Sequence, residues 1–247
     1  MKRGQITIFI VIGMIVLVAA SLLFFTFSEE KKIQPQAKII STSAITSLVE
    51  KCIGSTAQEG IFENSRQGGY FVLPEHSTTD LFEDIPYFVN LSKFPGDKVL
   101  ANELGLYIDT LLDFCLDFTV FEKQGYNFSI DTPVSDVTLN QKEFRINTKL
   151  PIRIKLRTQT KELSSFRVKV PAKQFYQDIT LARKILGSME KEDVCLTCFA
   201  NLANQNSVFV GILPIHNQTY IFDLKDNNYL IDKEFFHFKF GVKYERK

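Results

Sequence analysis

The chain has 247 residues and a formal net charge of +1, from 29 Lys and Arg against 28 Asp and Glu. A balance this close to neutral argues against a general binder of nucleic acid or of anionic membranes, which would carry a surplus of basic residues. The 23 Phe residues run along the whole chain, so we expect a substantial folded core and not a disordered stalk.

A long apolar segment without charges, from Ile6 to Phe27, lies near the start of the chain. As a helix with about 1.5 Å of rise per residue it would be roughly 30 Å long, which matches the hydrocarbon layer of a bilayer. Lys2 and Arg3 precede it without a neighbouring acid, which keeps the N-terminus in the cytoplasm and places the rest outside. The predicted segments are a basic leader, a transmembrane helix, a linker and an extracytoplasmic domain: 1–4, 5–28, 29–35 and 36–247.

A cleaved secretory signal peptide is the alternative to a retained anchor, because it also begins with positive charge and continues into an apolar stretch. Its apolar region is about 7–15 residues long and ends at a cleavage site made of small residues. Here the small residues Ala19, Ala20 and Ser21 are followed by large apolar residues from Leu22 onward. The length of the segment therefore favours a retained anchor.

The segment from Lys2 to Gly13, in which basic residues and Gly4 precede Gln5, resembles the N-terminus of archaeal type IV pilin-like proteins. In precursors of that family, a prepilin-type peptidase of the membrane cuts after the glycine and leaves the apolar helix on the mature protein. The resemblance implies cleavage between Gly4 and Gln5. It also implies a helix that anchors the protein and associates with its own copies, since a helix that is apolar all round is stable in either environment.

A second stretch, Cys52 to Gly60 followed by Gln67 to Tyr70, resembles otherwise uncharacterised archaeal membrane-anchored proteins with this kind of N-terminus. The fifth residue of the processed chain would be Phe9. Most pilins have Glu at that position, where it pairs with the N-terminus of a neighbour. The absence of this carboxylate favours an anchored protein that does not polymerise.

An amphipathic helix is predicted after the anchor. Apolar residues recur at three- and four-residue steps from Ile40 to Ile61, which is typical of a helix packed on a core. Gly68 and Gly69 end the helical region, because adjacent glycines allow positive φ and a sharp turn.

An irregular stretch and a second helix follow. Three prolines separate short apolar pieces over 70–96, so we predict loops with one short strand. Residues 98–118 return to the helical period. The two helices can pack as a pair.

The four cysteines are an even number, which in an exported domain is most simply interpreted as two disulfides. Cys52 and Cys115 each lie on the apolar stripe of a predicted helix, so a bond between them would clamp the two helices together. Cys195 and Cys198 form a Cys-x-x-Cys pair with three interpretations: a structural bridge, a thioredoxin-like redox pair, or half of a zinc site completed by the other two cysteines. We favour the structural bridge, because the segment before Cys195 does not have the pattern of a strand.

The clearest strand pattern runs from Phe144 to Arg157, where apolar residues alternate with polar ones. A period of two over that length indicates one buried face and one face with a row of basic residues. Because Pro151 cannot donate to a strand ladder, the strand either is an edge or bends at that point. The alternation from Phe166 to Val170 predicts a partner strand.

The row of basic residues on this strand has two interpretations. Lys and Arg in line can follow a phosphate backbone, which suggests nucleic-acid binding. Charged side chains on an exposed edge strand also discourage aggregation between sheet edges. We favour the second interpretation and expect no nucleic acid as a partner.

A third helix is predicted over 174–189, ahead of the Cys-x-x-Cys pair. Strands follow near Val208, Thr219 and Phe236, and turn-forming residues such as Asp226-Asn227-Asn228 between them indicate an antiparallel meander. In the last of these strands, alternate residues from Phe236 to Tyr244 form one apolar face.

The predicted fold class is therefore α+β, with long amphipathic helices packed on antiparallel sheet behind an N-terminal transmembrane helix. The exported part forms either one domain or a helical half, 36–120, and a β-rich half, 126–247.

Residues that could carry out catalysis do not converge along the sequence. The histidines at His76, His216 and His237 are far apart, and no phosphate-binding glycine loop, nucleophile elbow or zinc protease motif occurs. The acidic and amide-rich stretch 223–228 lacks the ligand pattern of a calcium loop and is predicted to be a hairpin turn. We therefore predict no enzymatic activity, no cofactor and no metal site.

Three Asn-x-Ser/Thr sequons occur, at Asn90, Asn127 and Asn217. All lie beyond the predicted anchor, in predicted loops or strand ends. Since glycosylation requires an exposed asparagine in an exported chain, these positions agree with the predicted topology.

Three functions remain as hypotheses. The favoured one is a type IV pilin-like cell-surface protein, a structural subunit of a filament or surface complex, with the lipid bilayer, a prepilin-type peptidase and copies of its own N-terminal helix as partners. The second is a single-pass anchored binding or adhesion module that does not polymerise. The third is an anchored thiol oxidoreductase that uses Cys195 and Cys198.

Overall fold

The structure, a computed structural model, describes residues 14–18, 42–79, 84–88, 93–189, 196–215, 219–231 and 233–243. The chain divides into two compact units, 1–39 and 40–247. In the first unit, residues 14–18 are helical and exposed, and the rest of the predicted anchor lies outside the described residues. Within the described ranges, no helix has the length and apolar character needed to cross a bilayer.

The second unit has the predicted α+β composition. Its helices are α1 (Thr42–Arg66), α2 (Asp97–Cys115), α3 (Thr119–Glu122), α4 (Lys173–Met189) and α5 (Leu196–Asn206). Its strands are β1 (Ser77–Thr79), β2 (Asp84–Phe88), β3 (Tyr126–Ile130), β4 (Val134–Leu139), β5 (Glu143–Leu156), β6 (Gln159–Pro171), β7 (Val208–Pro214), β8 (Thr219–Ile231) and β9 (Glu234–Lys243). The helices predicted from periodicity correspond to α1, α2 and α4.

One sheet has the strand order β1-β2-β9-β8-β7. Strands β7, β8 and β9 form the predicted antiparallel meander. Strand β2 joins it by pairing in parallel with β9, with Tyr87 beside Gly241. A Cβ atom on Gly241 would lie 2.8 Å from the Cβ of Tyr87, so this close pairing depends on glycine. The sequence predicts one short strand in this region, and the structure has two.

The other sheet is built around β5. Strand β6 pairs with one side of β5 along almost its whole length. On the other side, β4 pairs with β5 up to Lys149 and β3 takes over from Ile152. Pro151 lies at this junction, where the register with β6 also shifts. The strand is therefore bent at the proline, and its interpretation as an edge is wrong.

The predicted hairpin turn over 223–228 is also wrong, because these residues lie within β8. The pairing of β8 with β9 runs to Asp226, skips at a bulge and resumes at Leu230. Inside the bulge, the Asn228 backbone N–H donates to Asp226 Oδ1 at 2.7 Å, which is the local turn chemistry that the sequence indicates. The bulge accommodates these polar residues, and the strand continues after it. Lys233, which has a φ of 74°, lies in the connection to β9.

Helix α1 packs against α2 and against both sheets, through β6 and β9. Its apolar stripe is fully buried, with Ile45, Val49, Ile53 and Ala57 all at 0 % exposure. A Cβ atom on Gly60 would lie 2.7 Å from the ring of Tyr107, so a glycine allows α1 and α2 to approach closely. After α1 ends at Arg66, the chain turns at Gly68 and Gly69, which have positive φ as predicted.

Phenylalanine side chains form much of the core. Phe236, Phe238 and Phe240 on β9 are fully buried, which confirms the apolar face predicted for this strand. Phe175 of α4 contacts the rings of both Phe236 and Phe144, at 6.1 and 5.2 Å between ring centroids. Because Phe236 and Phe144 belong to different sheets, α4 links the two sheets through one aromatic cluster.

Candidate functional site

Several site residues predicted from the sequence fall on parts of the chain that the structure does not describe. These are Gly4, Gln5, Asn90, Cys195, His216 and Asn217. Cys198 belongs to α5, in its first turn. The predictions for these residues stay predictions.

A disulfide joins Cys52 of α1 to Cys115, the last residue of α2. Their sulfur atoms lie 2.12 Å apart and their Cα atoms 5.6 Å apart. The bond closes a loop between residues that are 63 positions apart in the sequence. It therefore fixes the helix pair that covers both sheets.

The sequon residue Asn127 is the second residue of β3, and its side chain is exposed. It lies opposite Lys155 of β5. A strand position near an end is within what the sequence predicts, and the exposed amide is accessible to modification.

The outward face of the four-stranded sheet has a surplus of basic residues. Six exposed cations lie on it: Arg145, Lys149, Arg153, Lys155, Arg167 and Lys169. Three acids share this face: Glu143, Asp136 opposite Asn147, and Glu162 opposite Arg153. Glu143 on the same face contacts Arg145 at 2.6 Å and Lys169 at 3.5 Å. The hydrogen bond from Arg145 is the main reason that the pKa of Glu143 lies below its usual value.

The basic row on β5 does not protect a sheet edge, because β5 has neighbours on both sides. The sheet edge at β4 is covered in another way, by helix α2, which packs on this strand. The Ser135 backbone N–H donates to Asp109 Oδ2 at 3.1 Å, and the Ser135 carbonyl oxygen would lie 3.1 Å from a Cβ atom on Gly105. The edge of β4 is therefore covered by a helix, and the protective interpretation of the basic row is wrong.

A buried carboxylate lies between α4 and β8. Asp178 is 1 % exposed and Asp226 is 6 % exposed. Among the described residues, no donor lies within hydrogen-bonding distance of Asp178 Oδ2. Burial, with a smaller contribution from the charge of Asp226, raises the pKa of Asp178 to about 8. The Asp178 side chain is therefore mostly protonated at neutral pH.

The buried carboxylate has a signal in the sequence, although Asp178 is not among the predicted site residues. It lies three residues after Phe175 and four before Ala182, on the apolar stripe that predicts α4. An acidic residue on such a stripe is expected to be buried, and a buried carboxyl group is usually neutral or paired.

An open depression of about 290 Å³ lies between α1 and β9. Its lining residues are Phe62, Arg66, Glu234, Phe235, His237 and Lys239. His237 Nδ1 is 2.9 Å from Asp223 Oδ1, so a carboxylate orients this half-buried histidine. The lining combines two aromatic rings with four charged or titratable side chains.

Within the described residues, no three His, Cys, Asp or Glu side chains are grouped so that they could hold a metal ion. Comparisons of the chain with protein-family models, with curated proteins and with solved structures find no match.

Proposed function

We propose that this chain is a membrane-anchored, type IV pilin-like cell-surface protein that acts as a structural subunit of a filament or surface complex. The observation that carries the proposal is the uncharged apolar run from Ile6 to Phe27 behind Lys2, Arg3 and Gly4. A run of this length is stable in a bilayer or among copies of itself, and the basic residues set its orientation.

Unit 40–247 supports the proposal in two ways. It is compact and has a large apolar core of its own, as an exported domain requires. It also contains the Cys52–Cys115 disulfide, which links α1 to α2. Disulfides persist in oxidising compartments outside the cytosol.

An anchored binding module that does not polymerise is the second candidate. Two observations favour it: Phe9 occupies the position where pilins carry an acid, and the exported unit has an exposed basic face. Both candidates share the anchor and the topology, and they differ in processing and assembly.

Cell fractionation tests the anchor and the topology together. We expect the chain to remain in the membrane pellet after an alkaline wash, and a membrane-impermeant amine reagent to modify Lys149 in intact cells. A control variant with Val16→Arg and Ala20→Arg should leave the pellet, because each arginine at the centre of a membrane helix costs about 3 kcal/mol. Recovery of the unchanged chain in the soluble fraction would contradict the proposal.

A further inference from the structure

We propose that the basic outward face of the four-stranded sheet docks on an acidic surface at the end of α2 and on α3 of a second copy of the chain. The contact lies within unit 40–247 and does not need the N-terminal helix or cleavage at Gly4. Its failure would therefore leave the proposed function standing.

Charge is segregated along the chain. Residues 40–125, which include α1, α2 and α3, carry 5 Lys and Arg against 13 Asp and Glu, a net charge of −8. Residues 126–171, which form the four-stranded sheet, carry 9 against 4, a net charge of +5. The two regions have opposite charge, whereas the whole chain is close to neutral.

The basic face is not explained by the fold itself. Four of its six cations project from the central strand β5, which is not an edge, and the other two, Arg167 and Lys169, project from β6. Val134 of β4 lies opposite Lys149 and is 60 % exposed, so an apolar contact is available beside the charges.

The acidic surface has the complementary composition. Asp113 on α2 and Glu122 on α3 are exposed acids. Between them along the chain, Phe114 is 87 % exposed and Val120 is 63 % exposed. Exposed apolar side chains beside exposed acids, with Lys123 as the one exposed cation of this stretch, complement a basic face that also offers an apolar side chain, and such complementarity guides association.

A second copy fits this face better than an external polyanion. A polyanion is attracted by a net positive protein, and the exported part has no positive surplus to supply that attraction. Two copies attract each other without any net positive charge, because each copy has both the basic face and the acidic surface. Since the two surfaces are different, the contact is head-to-tail, and repeating it produces a ring or an open filament.

Charge reversal on each surface tests the contact. The full chain is placed in lipid nanodiscs with one copy per disc, so that N-terminal helices of different discs cannot meet, and association is measured by sedimentation velocity at low and high salt. One variant carries Lys149→Glu and Arg153→Glu, and the other carries Asp113→Lys and Glu122→Lys. Asp117 is left unchanged because it accepts hydrogen bonds from Thr119.

We expect the unchanged chain to associate at low salt and to separate at high salt, because exposed charge pairs are screened. Each variant alone should associate at least about tenfold more weakly, since like charges then face each other. An equimolar mixture of the two variants should recover the association, because each reversed surface meets a surface of opposite charge. A control with Lys173→Glu and Lys184→Glu, two exposed residues of α4, lowers the net charge by as much as the sheet variant does and should behave as the unchanged chain.

Three results would overturn the proposal. The first is an unchanged chain that stays monomeric at low salt. The second is a mixture of variants that associates no better than either variant alone. The third is an effect of the sheet variant only, together with binding of polyglutamate by the unchanged chain, which would assign the face to an external polyanion.

Discussion

Replacing Cys52 and Cys115 together by alanine is expected to lower the free energy of unfolding by about 4 kcal/mol, because the bond closes a long loop and restricts the unfolded chain. The two residues are 63 positions apart. The bond also holds α1 against α2, and α1 contributes buried residues to the contacts with both sheets. The loss is measured as the shift of the urea midpoint for the full chain in a mild detergent.

Reduction of the unchanged chain is the matched control for this variant. It breaks the same bond without removing either side chain, and it also breaks the predicted bridge between Cys195 and Cys198, so the reduced protein should lose at least as much stability as the double alanine variant. Equal urea midpoints for the oxidised chain, the reduced chain and the variant would show that the bond does not stabilise the fold.

Replacing Asp178 by asparagine is expected to remove a strong dependence of stability on pH. The folded pKa of about 8 lies above the ordinary value of 3.8, so between these values the folded chain keeps a proton that the unfolded chain releases. Stability should therefore fall as pH rises through this window, by about 1.4 kcal/mol per unit, and level off above it. Asparagine has the shape of the protonated carboxyl group and does not ionise.

The comparison is made by urea unfolding at pH 5, 6.5 and 8. We expect similar stabilities for the unchanged chain and Asp178→Asn at pH 5, and a variant that is more stable by several kcal/mol at pH 8. Asp136→Asn, at an exposed position of β4, is the control and should keep the pH dependence. Parallel pH curves for the unchanged chain and Asp178→Asn would show that Asp178 is not protonated in the folded state.

The elements that the sequence predicts well are those whose pattern is local and long. Helices α1, α2 and α4 and strand β5 each repeat their apolar residues over more than ten positions, so burial of one face determines the structure. The shorter alternation from Phe166 to Val170 predicts β6. The apolar face of β9 is predicted for the same reason. These elements also carry the basic face, which is therefore visible in the sequence.

The elements that the sequence does not predict depend on distant partners. Strand β2 has only five residues, and it exists because Tyr87 and Phe88 pair with residues about 150 positions away. The bulge after Asp226 has the local chemistry of a turn. The strand continues through it because β8 pairs with β9 both before and after the bulge. Likewise, Pro151 permits an edge or a bend, and only the presence of β3 and β4 on the same side decides between them.

The candidate sites follow the same division. The alternation of charge predicts the basic row, but only the sheet topology shows that it does not protect an edge. The apolar stripe of α4 indicates that Asp178 is buried, but only the packing of α4 against β8 brings it close to Asp226. The N-terminal processing site differs from these two sites. It is predicted from the sequence alone and lies outside the described residues.

The mass of the mature N-terminal peptide tests the pilin-like proposal most directly. A chain purified from membranes of its own cells should begin at Gln5, and a Gly4→Val variant should keep the residues from Met1 onward because a bulky residue blocks cleavage. Detection of Met1 to Gly4 on the unchanged mature chain would contradict pilin-like processing.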